Sequence, residues 1–143
     1  MGVRRKGRII AFQQIYTIEF FDKSDHEIYD FSWIDEKNQT KIKPESLDFA
    51  RLLIGGTLEN LEVIDNTIKN HLERWDFSRL AKVDLANLRI GIYELLFLKD
   101  IPAQVAIDEA INIAKEFGSD DSYRFINGIL DSVYKSQKNT KGH

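Results

Sequence analysis

The sequence predicts an all-α protein of about seven helices. Three observations carry this: apolar residues recur at three- and four-residue spacing along most of the chain, no sustained run alternates apolar and polar residues as a half-buried strand would, and 143 residues include only two prolines. The length suits one domain, 1–143, which would bury roughly two thirds of the surface it exposes when unfolded.

The elements follow in order. From Arg5 to Phe21 the residues Ile9, Phe12, Tyr16 and Phe20 draw one stripe down a helix. Ser24 followed by Glu27 has capping-box spacing, so a shorter second helix begins near Asp25, with Ile28, Phe31 and Ile34 on one side. The polar stretch Asp35 to Lys43 reads as a loop. Pro44 suits the first turn of a third helix, where its missing amide hydrogen costs nothing. Leu47, Ile54, Leu58, Leu61, Ile64 and Ile68 keep a helical period as far as Leu72. Gly55 and Gly56 lower helix propensity by about 1 kcal/mol each, so this stretch is one rod or two helices bent at the glycines.

Trp75 and Phe77 lie in a short connection. Leu85, Leu88, Ile92 and Leu95 then mark a strongly apolar helix from about Asp84 to Leu98, which belongs at the centre of the core. Asp100, Ile101 and Pro102 break the chain. Ala106, Ala110 and Ala114 with Ile107, Ile111 and Phe117 make the next helix, ending at Gly118. Ser119, Asp120 and Asp121 supply the cap and first-turn acids of a last helix whose Phe125, Ile129 and Val133 face inward.

Composition excludes several classes of protein. Hydrophobic residues at 43% and charged residues at 30% are far from disordered or collagenous chains. The most apolar segment, Ile90 to Leu98, is broken by Gly91 and Glu94 and is too short to span a bilayer. The basic N-terminus lacks the uninterrupted apolar stretch and small-residue cleavage site of a signal peptide, so a cytoplasmic location is expected. The absence of cysteine excludes disulfides, thiolate metal sites and cysteine nucleophiles.

Charge is unevenly distributed. Of the 20 cations, residues 1–8 hold Arg4, Arg5, Lys6 and Arg8, and residues 135–143 hold Lys135, Lys138 and Lys141, with no acid in either segment. The body between them therefore carries 13 cations against all 23 acids, a balance of −10. An acidic body with a basic arm at 1–8 and a flexible basic tail at 135–143 points to localised contact with a polyanion rather than contact over the whole surface.

An enzyme finds little support. There is no phosphate-binding glycine loop, dinucleotide fingerprint, zinc-protease helix or serine-nucleophile elbow, and His26, His71 and His143 are scattered. Asp108 and Glu109, adjacent on a helix, diverge and make poor acid/base partners. No catalytic residue, metal site or cofactor is expected. Gln104 to Ile129 has the outline of a DNA-binding helix-turn-helix, but Asp120 and Asp121 would put two negative charges among the phosphates at the recognition helix.

The basic arm is more informative. Arg4, Arg5, Lys6 and Arg8 stand at the start of a helix, where the helix dipole disfavours cations by roughly 0.3–1 kcal/mol each. Helix stability does not explain them. Arg4 and Arg8 project from one face, and guanidinium groups both bind phosphate and stack on bases. Short arginine-rich segments recognise RNA, although charged ends also serve as solvated surface.

The chain resembles the NusB family of bacterial transcription antitermination factors. The resemblance runs through Arg4-Arg5-Lys6-Gly7-Arg8, Ala11-Phe12-Gln13-Gln14-Ile15-Tyr16 and Val83 to Leu95. It is most specific in the last third: Ile101-Pro102, Val105 to Ala110, Ala114-Lys115, Phe117-Gly118, Asp121-Ser122 and Phe125 to Asp131. It departs at Lys6 and Gly7, where the family commonly has arginine and alanine.

The resemblance implies two small helical bundles around a shared core. It also implies binding of the boxA sequence of nascent RNA, together with the small-subunit ribosomal protein NusE, in an RNA polymerase assembly that resists termination on ribosomal RNA operons. By position, Arg4, Arg5, Lys6 and Arg8 match the family's RNA-binding arm. Asp121 and Phe125 match RNA-contact positions, and Tyr16 and Asp84 match the face used for the ribosomal protein. On spacing alone Phe125 and Tyr16 equally belong to the core, Asp121 is a cap, and Asp84 is a first-turn acid. Two further readings stand beside antitermination: a helical adaptor with little RNA affinity of its own, and an RNA-recognition module for a ribosomal RNA modification enzyme.

Overall fold

A computed structural model describes residues 2–73 and 76–141, and among these every regular element is helical. The order is α1 (Val3–Ile18), α2 (Asp25–Asp30), α3 (Glu36–Gln39), α4 (Pro44–Glu59), α5 (Leu61–Asn70), a 3₁₀ turn (Phe77–Arg79), α6 (Lys82–Phe97), α7 (Ala103–Phe117) and α8 (Ser122–Lys141). That is eight α-helices against the about seven expected.

The architecture turns on α6. Every residue from Leu85 to Leu95 is buried, as expected of a helix that is apolar nearly all round. One side of α6 meets α1, α4 and α5, and the other meets α7 and α8, so two small bundles share it. The three polar side chains in that buried run are each satisfied, as interior polar groups must be. Asn87 Nδ2 donates to the Ala110 carbonyl at 2.9 Å, Arg89 pairs with Asp65 and Glu19, and Glu94 accepts from Arg8.

The first bundle is closed by polar contacts that anchor its short elements. Ser24 caps α2, its hydroxyl accepting from the Glu27 amide at 3.2 Å. Gln14, fully buried on α1, donates to the Ile28 carbonyl at 2.8 Å and accepts from Lys23 at 3.0 Å, which docks α2 on α1. Phe31 follows α2 in the left-handed region (φ 55°) with its ring wholly buried beneath Arg51.

Several expectations need correction. The loop from Asp35 to Lys43 contains α3, capped by Asp35 through the Asn38 amide at 2.8 Å. The rod from Pro44 breaks at Asn60 rather than at the glycines: α4 runs straight through Gly55 and Gly56. Gly56 makes room, since a Cβ there would lie 2.0 Å from the ring of Tyr93. Residues 135–141 continue α8, with Lys135 paired to Asp131 at 2.9 Å. Trp75 lies outside the described residues. Ile129 and Val133 are buried as expected, and Ile126 joins them while Phe125 is only half-buried.

Candidate nucleic-acid interface

The basic arm is the first two turns of α1, held against three other helices. Ser46 at the start of α4 donates its hydroxyl to the Val3 carbonyl at 2.7 Å, fixing the first turn. Arg5 and Arg8, three residues apart, share a face, and each meets a carboxylate distant in sequence. Arg5 donates Nε and Nη2 to Glu109 of α7 at 3.0 and 2.9 Å. Arg8 donates Nε and Nη2 to Glu94 of α6 at 3.0 and 2.7 Å. Arg4 and Arg8 both lie over the Phe49 ring, at 5.4 and 5.2 Å from its centroid.

The four cations therefore divide. Arg8 is 3% exposed and belongs to the interior, which corrects the expectation that it is available to RNA. Its partner Glu94 is equally buried. Burial pushes the Glu94 carboxyl above its ordinary range, and the hydrogen bonds and charge of Arg8 pull it back only in part. Arg4 and Arg5 are exposed and Lys6 is half-exposed. Arg4, Arg5 and Arg8 line a groove of about 530 Å³ with Gly2, Glu109 and an apolar wall that includes Pro102 and Val105.

A second groove, of about 350 Å³, lies between the 3₁₀ turn, the start of α6 and the start of α8. It brings together Asp84, Asp121 and Phe125 beside Arg79, Leu80 and Ser122. Asp84 is half-buried, and burial raises its carboxyl above the ordinary range while a hydrogen bond with Ser122 opposes the shift. Asp121 is open to solvent just before α8, 3.9 Å from Arg124. The groove thus joins one residue matched to a protein face with two matched to RNA contact.

Tyr16 is not in that groove. It packs edge-on against Phe20 at 5.1 Å near the end of α1. Glu19, one turn further along, bonds Arg89 at 2.9 Å and reaches Lys82 at 3.5 Å, which places the end of α1 beside the start of α6. Tyr16 and Asp84 accordingly occupy the same end of the molecule. The arm lies toward the other end of α7: Glu109 and Phe117, the last residue of that helix, are eight residues apart, about 12 Å at the helical rise.

Glu94, Glu109 and Phe49 were not among the sequence-predicted site residues. Glu94 was nevertheless signalled, since an acid inside the apolar run Ile90 to Leu98 needs a buried cation. Asp108 and Glu109 diverge as expected: Asp108 accepts from Gln104 at 2.8 Å in solvent, while Glu109 turns toward α1. Of the histidines, His26 pairs with Asp30, and His71 caps α5 and lies 2.7 Å from the Ser132 hydroxyl; His143 lies outside the described residues. Among the described residues no group of three or more histidines and carboxylates is arranged to hold a metal. No helix of the described residues is long and apolar enough to cross a membrane.

Comparison with known proteins identifies the family. The family model described as "NusB family" matches residues 5–135. A Treponema pallidum protein named transcription antitermination protein NusB is 46% identical over 133 residues, covering 93% of each chain. The protein of the same name from Carboxydothermus hydrogenoformans is 40% identical over 131 residues, covering 91% of each. Among solved structures, T. maritima NusB superposes with a TM-score of 0.81 at 42% identity, over 92% of this chain and 90% of that one. A crystal structure of antitermination factors NusB and NusE in complex with dsRNA also superposes at 0.81, with 26% identity over 94% and 97% of the chains. The chain belongs to the NusB family.

Proposed function

We propose that this chain is a transcription antitermination factor that binds boxA RNA of ribosomal RNA operons together with the ribosomal protein NusE. It acts in the cytoplasm as part of an RNA polymerase assembly that transcribes through terminators, and its role is binding rather than catalysis. The observation that carries the reading is the cationic first turn of α1. Arg4, Arg5 and Lys6 stand where the helix dipole opposes cations, and Arg4 and Arg5 line a groove with an apolar wall. Such a site offers phosphates charge and bases a surface to lie against. The named relatives and the solved complex of NusB and NusE with dsRNA support the assignment.

The Asp121/Phe125 groove is a second RNA contact beyond the C-terminal end of α7, which lies about 12 Å of helix from Glu109, a separation a few nucleotides of single strand would cover. Tyr16 and Asp84, at one end of an acidic body, suit a basic ribosomal protein. A competing reading, a protein adaptor with little RNA affinity of its own, draws on the carboxylates that already hold Arg5 and Arg8. A titration of the isolated chain with boxA-like RNA and a scrambled control, repeated with the ribosomal protein present, separates the two. Antitermination predicts sequence-dependent binding that the ribosomal protein strengthens. Binding only to the protein, with no RNA affinity gained in the complex, would favour the adaptor.

A further inference from the structure

We infer that Glu109 is a positioning residue for RNA binding: it holds the Arg5 guanidinium so that the edge it does not use is ready for a phosphate. The inference rests on reading the first turn of α1 as an RNA contact. Its starting point is an asymmetry in the pair, in which the Glu109 side chain is 13% exposed and that of Arg5 is 50% exposed. The carboxylate belongs to the body and the guanidinium to the surface.

A guanidinium has five N–H donors in a rigid fork. Glu109 engages one edge, taking Nε at 3.0 Å and Nη2 at 2.9 Å. Among the described residues Nη1 has no carboxylate partner, and the Arg5 side chain lines the groove it shares with Arg4 and Val105. A phosphate is better accommodated on that open edge than in place of Glu109. Displacement would strand a largely buried carboxylate near the buried Glu94, whose own carboxyl already feels the charge of Glu109.

Arginine ordinarily loses much rotamer freedom when it is fixed on a ligand. Here the pair with Glu109 has ordered the side chain before RNA arrives. Arg4 serves as the internal comparison, since it stacks on Phe49 and has no carboxylate partner among the described residues.

The inference makes the sign of one substitution decisive. By net charge alone, removing an acid beside an RNA site strengthens binding. By positioning, it weakens binding. The experiment is a fluorescence titration of a short boxA-like RNA with the full chain carrying Glu109→Gln, Glu109→Asp, Arg5→Ala, or Arg5→Ala with Glu109→Gln.

Glu109→Gln is expected to bind about two- to tenfold more weakly, the range associated with ordering one long side chain. Glu109→Asp, which keeps the charge but shortens the reach, is also expected to bind more weakly than the natural sequence. In the Arg5→Ala background Glu109→Gln should cause no further weakening. The Arg5 Nε–H resonance should be protected from exchange in the free natural protein and lose that protection in Glu109→Gln.

Unchanged or tighter binding by Glu109→Gln, with Arg5→Ala still weakened, would overturn the positioning role and leave the RNA-binding arm standing. An equal loss from Glu109→Gln with and without Arg5 would overturn it in favour of a general effect on the fold. Arg5→Ala with natural affinity would overturn both the positioning role and the assignment of Arg5 to RNA.

Discussion

Arg8 of α1 and Glu94 of α6, 86 residues apart, form a bidentate ion pair with neither side chain more than 4% exposed. The Nη2 to Oε1 distance is 2.7 Å, and the Phe49 ring covers the guanidinium at 5.2 Å. Removing one partner of such a pair leaves a bare charge in the interior, which costs roughly 3–5 kcal/mol. Arg8→Ala should therefore lower the thermal midpoint by on the order of 10 °C, using the usual conversion for a domain of this size. The fraction that remains folded should keep its RNA salt dependence. Thermal melts and salt titrations of the same variant check both statements, and an unshifted midpoint would return Arg8 to the surface.

On the proposed reading the cations left for RNA are Arg4, Arg5 and Lys6. Three phosphates neutralised on single-stranded RNA contribute about −0.7 × 3, or roughly −2, to the slope of log affinity against log salt. Arg4 and Lys6 have no ion pair among the described residues, so replacing both by alanine should flatten the slope by about 1.4. Stability should change by less than about 1 kcal/mol, mostly through the contact of Arg4 with Phe49. A slope that does not move would mean that the first turn of α1 is not on the RNA path.

How far the molecule was legible beforehand depends on the kind of signal. Core stripes were legible because burial imposes a period: Ile9, Phe12, Ile92, Ile129 and Val133 are all buried on the expected faces. The central role of α6 is legible from the apolar residues Leu85, Leu88, Ile92 and Leu95 spread along it. The fate of each arginine was not. Arg5 and Arg8 both carry the same local signal, and only the acids that α6 and α7 bring to them, distant in sequence, decide that one is interior and the other surface. The break at Asn60 is not legible because glycine propensity points to Gly55 and Gly56, whereas packing room for Tyr93 explains Gly56 there.

Phe125 and Ile126 are adjacent on α8 and should respond differently. Ile126 is fully buried, and Ile126→Ala should cost roughly 2–5 kcal/mol of stability. Phe125 is half-buried at the groove with Asp84 and Asp121, and Phe125→Ala should cost roughly 1–3 kcal/mol in RNA binding if a base stacks there. Paired melts and RNA titrations make the comparison. A Phe125→Ala protein with a large drop in stability and natural RNA affinity would assign the ring to the core alone.

Gly118 ends α7 as its sequence position suggested, but with extended backbone (φ −93°, ψ −174°) rather than a left-handed cap. What requires glycine is space. An added Cβ would lie 2.6 Å from the Ser122 side chain and 2.8 Å from the Ala114 carbonyl. Ser122 is buried, its hydroxyl accepts from the Ser119 amide at 3.0 Å, and it bonds Asp84. Gly118→Ala should therefore cost roughly 1–3 kcal/mol as an overpacked site. It should also shift the resonances of Asp84 and Phe125 across the groove. A stability gain, as expected from removing a flexible glycine, would show that the turn relaxes without strain.

Acid sensitivity should centre on Glu19. Its carboxyl lies below the ordinary value of 4.5, chiefly through its hydrogen bond with Arg89, with the charges of Arg89 and Lys82 adding to the effect and burial opposing it. A folded-state value below the unfolded one means that the ionised group stabilises the fold. That contribution is complete above the unfolded value and is lost as pH falls through the folded one. Glu94 has the opposite sign: its raised carboxyl contributes most below 4.5 and loses that contribution as pH rises through the folded value. Glu19→Gln should lower stability at pH 7 by roughly 0.5–1 kcal/mol, since solvent screens the partly exposed pair, and should flatten the loss of stability below pH 4.5. Denaturant melts of both proteins from neutral pH into that acid range measure the difference, and parallel curves would show that the link from α1 to α6 carries no net electrostatic stabilisation.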